Sequence, residues 1–129
     1  MGIAHVAVYD TLADWEVGYL MVELRTGRFT ATPWTVVTVG ETAEPITTMG
    51  GLHIVPEVTL AELDAAHSDL LVLPGAGMWD LGGGEQWAVA ARRFLEAHVP
   101  VAAICGATAG LARAGLLNER DHTSAALGY

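Results

Sequence analysis

Val101-Ala102-Ala103-Ile104-Cys105-Gly106-Ala107-Thr108-Ala109-Gly110 passes, without a single charge, from an apolar tract into a string of small residues. Val101 to Cys105 reads as a strand buried on both faces, because no polar residue alternates with the apolar ones. Ala107 to Ala114 reads as a helix stopped by Gly115. Cys105 therefore stands at a strand-turn-helix corner. Such a tight turn needs small neighbours, and Ala103, Gly106 and Ala107 supply them. The corner puts the sulfur at a helix N-terminus, where partial positive charge favours thiolate, and at the carboxyl end of a strand, where open α/β sheets hold ligands. A lone cysteine is also commonly a small buried hydrophobe, and the context leaves both readings open.

Working outward, Ile3 to Tyr9, Thr35 to Val39 and Leu70 to Leu73 repeat the unbroken apolar pattern. Between them lie helical spacings. Leu12, Trp15, Val17, Leu20, Met21 and Leu24 recur every three or four residues, with Asp10 or Thr11 as N-cap and Gly27 as the stop. Leu60 and Leu63 suggest a short helix over Thr59 to Ala66, and a longer one spans about Glu85 to His98 after the glycine-rich stretch Pro74 to Gly84. Ile46 to Val55, with Gly50-Gly51 at its middle, reads as a small hairpin. Strands alternating with helices predict an α/β fold: a flavodoxin-like doubly wound parallel sheet carrying that hairpin.

The 129 residues make one domain with one core. Hydrophobic residues are 52% and charged ones 16%, with mean hydropathy +0.38, which excludes a disordered chain. Six basic against fifteen acidic side chains give a net charge of −9, so nucleic acid and anionic membrane are not expected partners. A single cysteine and the absence of a basic, apolar leader suggest a reducing cytoplasm. His5, His53, His67 and His98 have no ligand spacing with one another or with Cys105, so neither metal nor cofactor is expected. Gly75 to Asp80 resembles a dinucleotide fingerprint, but Asp80 stands where the third glycine belongs.

Ala103-Ile104-Cys105-Gly106-Ala107, the upstream Leu71-Val72-Leu73-Pro74-Gly75-Ala76-Gly77, Asp14-Trp15-Glu16, and Gly115-Leu116-Leu117-Asn118 followed by His122-Thr123-Ser124 together resemble the ThiJ/PfpI family of the class I glutamine amidotransferase-like superfamily. The resemblance covers nearly the whole chain. It implies that Glu16 lies beside Cys105, donating a hydrogen bond to the thiolate and lowering its pKa, and that His122 approaches the same cysteine. Glu16 also fits an ordinary solvated helix position, and His122 an exposed turn. Gly75 and Gly106 could aim backbone N–H groups at one oxyanion. Trp79, after that loop, could wall a pocket, whereas tryptophans more often anchor cores or interfaces.

The resemblance implies a cysteine-dependent hydrolase or carbonyl-directed enzyme, of protease, deglycase or glyoxalase-like type, acting on a small-molecule or peptide carbonyl. The alternatives are a redox-sensing stress-response module and a non-catalytic regulatory domain. Relatives continue well past the equivalent of Tyr129, and true glutaminase sites take a His and a Glu from that region, so amidotransferase activity is not expected. The same comparison suggests a C-terminally incomplete domain. An apolar last strand would otherwise present an open edge, to be covered by further chain or, in a homo-oligomer, by a second copy.

Overall fold

Every strand expected to be buried on both faces enters one parallel sheet in the computed structural model, which describes residues 1–124 and 126–129. β1 (Ile3–Ala7) is central. It pairs in parallel with β2 (Thr35–Gly40) on one side and β6 (Leu70–Leu73) on the other. β5 (Val58–Thr59) extends the β2 side and β7 (Val101–Ala103) the β6 side, giving the order β5-β2-β1-β6-β7. β3 (Ile46–Thr47) and β4 (His53–Ile54) form the expected antiparallel hairpin, with Gly51 at φ 88° in its turn. The helices are α1 (Asp14–Thr26), α2 (Gly77–Asp80), α3 (Glu85–Glu96) and α4 (Gly106–Arg113).

Ala4, Val6, Val39, Leu71, Val72 and Leu73 are fully buried in the sheet, and Trp79, Trp87 and Phe94 pack against them. Each such aliphatic or aromatic side chain contributes about 1.5–3 kcal/mol on leaving water. The strand order reverses between β1 and β6, and a crevice at the carboxyl ends of strands flanking such a reversal is where sheets of this kind take ligands. β7 is an edge strand, paired only with β6 among the described residues. No helix among the described residues is long and apolar enough to cross a membrane.

Two sequence expectations need correction. The helix expected over Thr59 to Ala66 is replaced by β5 and a 3-10 turn at Ala65–His67. Glu62 Oε2 accepts from the Thr59 N–H (2.7 Å) and Thr59 Oγ1 (2.8 Å), and Asp64 Oδ1 accepts from the Ala66 N–H (2.9 Å), so side chains close local turns where a helix would need its own ladder. α1 starts at Asp14, not after a cap at Asp10 or Thr11. Thr11 sits at φ 66°, Leu12 bridges to Ala76, and Ala13 N–H donates to Gly75 O (2.9 Å), so the segment that would have opened the helix is held by the loop after β6.

Candidate active site

Cys105 links β7 to α4 at φ 52°, ψ −118°, a left-handed backbone that a residue bearing a Cβ adopts only at a cost of roughly 1–3 kcal/mol. The turn is held from both sides. Ile104 N–H donates to Leu73 O (3.0 Å) on β6, while Thr108 N–H donates to Cys105 O (3.0 Å) and Thr108 Oγ1 to Ala103 O (3.3 Å). Gly106 and Ala107 are buried under the bend, and a Cβ on Gly106 would stand 3.2 Å from Trp79 Cβ. The side chain that this strain lifts out of the fold is exposed, which disposes of the buried-hydrophobe reading of Cys105.

Glu16 reaches the same point from the first turn of α1. Its Oε2 accepts the Gly75 N–H at 2.6 Å. A Cβ on Gly75 would lie 2.6 Å from Glu16 Oε2, 2.8 Å from Oε1 and 3.0 Å from Cys105 Cβ, so only glycine lets the carboxylate and the cysteine converge there. The Gly75 N–H is thus committed to Glu16 rather than to an oxyanion. The next amide is differently placed. Ala76 is extended (φ −160°, ψ 155°), its carbonyl oxygen lies 3.4 Å from the Cβ position of Gly106, and extended backbone points N–H and C=O to the same side. The Ala76 N–H has no acceptor among the described residues.

Partial burial and the charge of Glu16 push the Cys105 thiol above its ordinary pKa, with Asp80 adding to the rise and the Gly106 N–H opposing it. The Gly106 N–H at the helix terminus favours thiolate, while burial and the two carboxylate charges act the other way. Thiol and carboxylate together form a pair across which one proton can pass.

The loop is braced from beneath. Tyr9, on the chain leaving β1, donates its hydroxyl to Pro74 O, and Trp79 Nε1 lies 3.1 Å from both Pro74 O and Tyr9 Oη. Tyr9 also meets the Trp79 and Trp87 rings edge-on, with centroids 6.0 and 5.5 Å away. Burial, with the nearby Glu16 charge, raises the Tyr9 pKa far above its ordinary value, so the phenol stays a donor. Trp79 is wholly buried in the core and also lines a cleft with Gly84, Gly110 and Arg113 that does not include Cys105.

A family model described as DJ-1/PfpI matches residues 3–127. The chain belongs to the DJ-1/PfpI family. It is 43% identical over 128 residues to a Bacillus subtilis (strain 168) protein named uncharacterized protease YoaZ, covering 97% of this chain and 61% of that one. A second protein of that strain, uncharacterized protease YdeA, is 32% identical over 90% of this chain and 55% of its own. The chain thus spans about three-fifths of the length of the curated relatives it matches. A solved thiJ/pfpI family protein from Bacillus anthracis superposes with a TM-score of 0.88 at 42% identity, over 99% of this chain and 62% of its own. A DJ-1 superfamily protein, Atu0886 from Agrobacterium tumefaciens, gives 0.88 at 31% identity over 99% and 66%.

Within this DJ-1/PfpI chain the structure brings Glu16, Gly75 and Gly106 to Cys105, but not His122. That histidine is exposed, its Nδ1 is paired with Arg120 O (3.0 Å), and it lines a cleft with Val101, Leu117 and Thr123 that does not include Cys105. Sequence reasoning missed Asp80 and Tyr129. Tyr129 Oη donates to Asp80 Oδ1 (2.7 Å) and stands 3.3 Å from the Cβ position of Gly106. Asp80 pushes the Tyr129 hydroxyl up to about 12, and the charge of Cys105 adds to that. Only the path of the terminal turn joins residues so distant in sequence, so no local pattern announces them. Among the described residues no three His, Cys, Asp or Glu side chains converge as metal ligands.

Proposed function

We propose that this chain carries the nucleophile site of a cysteine-dependent enzyme acting on a carbonyl, with peptide or small acyl substrates as the first class to try. The observation that supports this most is the exposed Cys105 at φ 52°, with Glu16 gathered against it through the Gly75 N–H at 2.6 Å. Sγ attacks the carbonyl carbon, forming the C–S bond, while the π pair moves onto oxygen and the thiol proton passes to Glu16. The Gly106 N–H, with the Ala76 N–H in the part first expected of Gly75, donates to the oxyanion. On collapse the C–N or C–O bond breaks, Glu16 returns the proton to the leaving group, and water then hydrolyses the thioester. The word protease in the names of the Bacillus subtilis relatives agrees with such acyl chemistry.

The test is a burst experiment with an activated aryl ester, followed by intact-mass analysis. An acyl group on Cys105 of the unaltered chain, absent from Cys105→Ser, is the expected result. Equal turnover by both proteins, or no acyl-enzyme in either, overturns the proposal.

A further inference from the structure

We infer that Tyr129 is a side-chain hydrogen-bond donor to the oxygen of the carbonyl adduct, held ready by Asp80; the inference rests on the proposed role of Cys105. A Cβ on Gly106 would lie 3.3 Å from Tyr129 Oη, so the hydroxyl stands over the first residue of α4, the residue whose N–H faces the sulfur. Its position is built. The Tyr129 N–H donates to Ala126 O (3.1 Å), Ser124 Oγ donates to Ala126 O (2.7 Å) and to Tyr129 O (3.2 Å), and the phenol donates to Asp80 Oδ1 (2.7 Å) at the end of α2.

Glu16 accounts for one side of the sulfur; it accepts the Gly75 N–H and takes the thiol proton. The new negative charge forms on the other product atom, the carbonyl oxygen, which the Gly106 N–H and a neighbouring hydroxyl are placed to meet. Rotation about the Tyr129 Cζ–Oη bond turns the proton from Asp80 to that oxygen. No proton is transferred in this step. The high Tyr129 pKa keeps the group a donor throughout. Because the hydroxyl gives up one acceptor to gain another, it is worth less than a preorganised amide, and its loss should weaken the adduct about tenfold.

The experiment uses a trifluoromethyl ketone, whose reversible hemithioketal with Cys105 is read by ¹⁹F NMR across pH, alongside iodoacetamide alkylation of Cys105, which forms no oxyanion. Tyr129→Phe is expected to weaken the adduct about tenfold and to raise the pH at which its hydroxyl ionises, with the alkylation profile unchanged. Asp80→Asn keeps an amide oxygen to accept the phenol hydrogen bond and so to hold Tyr129 in place, but removes the charge that competes for its proton, and should leave adduct affinity equal or tighter. Opposite responses of the two variants separate a donor from a structural latch, which both substitutions would loosen alike. Unchanged affinity in Tyr129→Phe, or equal weakening in both variants, overturns the inference alone. No adduct with the unaltered chain overturns it together with the carbonyl role of Cys105.

Discussion

At the end of β6 the chain turns through Pro74-Gly75-Ala76, with Ala76 extended, and offers backbone amides; at the end of neighbouring β7 it turns through Cys105 at φ 52° and offers a side chain. The two bends are tied together by the hydrogen bond from Ile104 N–H to Leu73 O. Beneath the first lies a buried aromatic brace, Tyr9 and Trp79 on the Pro74 carbonyl. Beneath the second lie only small residues, Gly106 and Ala107, closed against Trp79. The difference teaches that the strained bend carries the reactive group while the unstrained one carries its setting. Trp79 supports both at once.

The sharpest way to break that division of labour is Cys105→Gly. Activity should vanish, while stability rises by about 1 kcal/mol, because glycine adopts the left-handed backbone without penalty. Chemical denaturation measures the gain. A loss of stability would mean that the side chain, not the backbone, holds the bend in place.

Gly75→Ala attacks the other bend. The added methyl would stand 2.6 Å from Glu16 Oε2 and 3.0 Å from Cys105 Cβ, so the carboxylate must move. A displacement of that kind costs roughly 10²-fold in rate. Steady-state turnover of the aryl ester should fall accordingly while far-UV circular dichroism stays unchanged. Turnover within a factor of about two of the unaltered chain would show that the geometry around Glu16 is not needed.

The elements that place these bends were legible because a strand buried on both faces leaves an uninterrupted apolar run, as in Leu70–Leu73; Val101–Ala103 carries the same pattern but, at the sheet's edge, is only half-buried. The elbow was legible for a related reason, since a bend this tight tolerates only residues such as Gly106 and Ala107 around it. What escaped depends on single polar side chains or on chain path. Leu60 and Leu63 keep helical spacing, yet Glu62 and Asp64 spend their oxygens on local turns. The Gly75 N–H looked free for an oxyanion because nothing local shows that Glu16 takes it. Asp80 and Tyr129, 49 residues apart, meet only in the folded chain.

Glu16→Gln sharpens the comparison by keeping the shape of the acceptor while removing its charge. That charge, with burial, holds the Cys105 thiol above its ordinary pKa, so the midpoint of alkylation against pH should move down in the variant. The linked effect on folding has a definite sign. A thiol whose folded pKa is raised contributes stability below its unfolded value and loses it as pH rises through the folded one, so the variant should lose less stability on the alkaline side. An alkylation midpoint that stays fixed or moves up would show that Glu16 does not act on the sulfur through its charge.

The smallest effect is expected of His122, and it separates resemblance from geometry. The residue lies on the exposed segment after α4, with Nδ1 turned to Arg120 O, and the groups whose charges act on the Cys105 thiol are Glu16 and Asp80. His122→Ala should therefore leave turnover within about twofold and the alkylation profile in place, since surface substitutions away from a site rarely exceed about 0.5 kcal/mol. A fall approaching that of Gly75→Ala would mean that the terminal segment swings over the elbow during turnover. Tyr129, carried by the same segment, could not then keep its hydroxyl on Asp80 while the histidine acted, so one measurement bears on both residues.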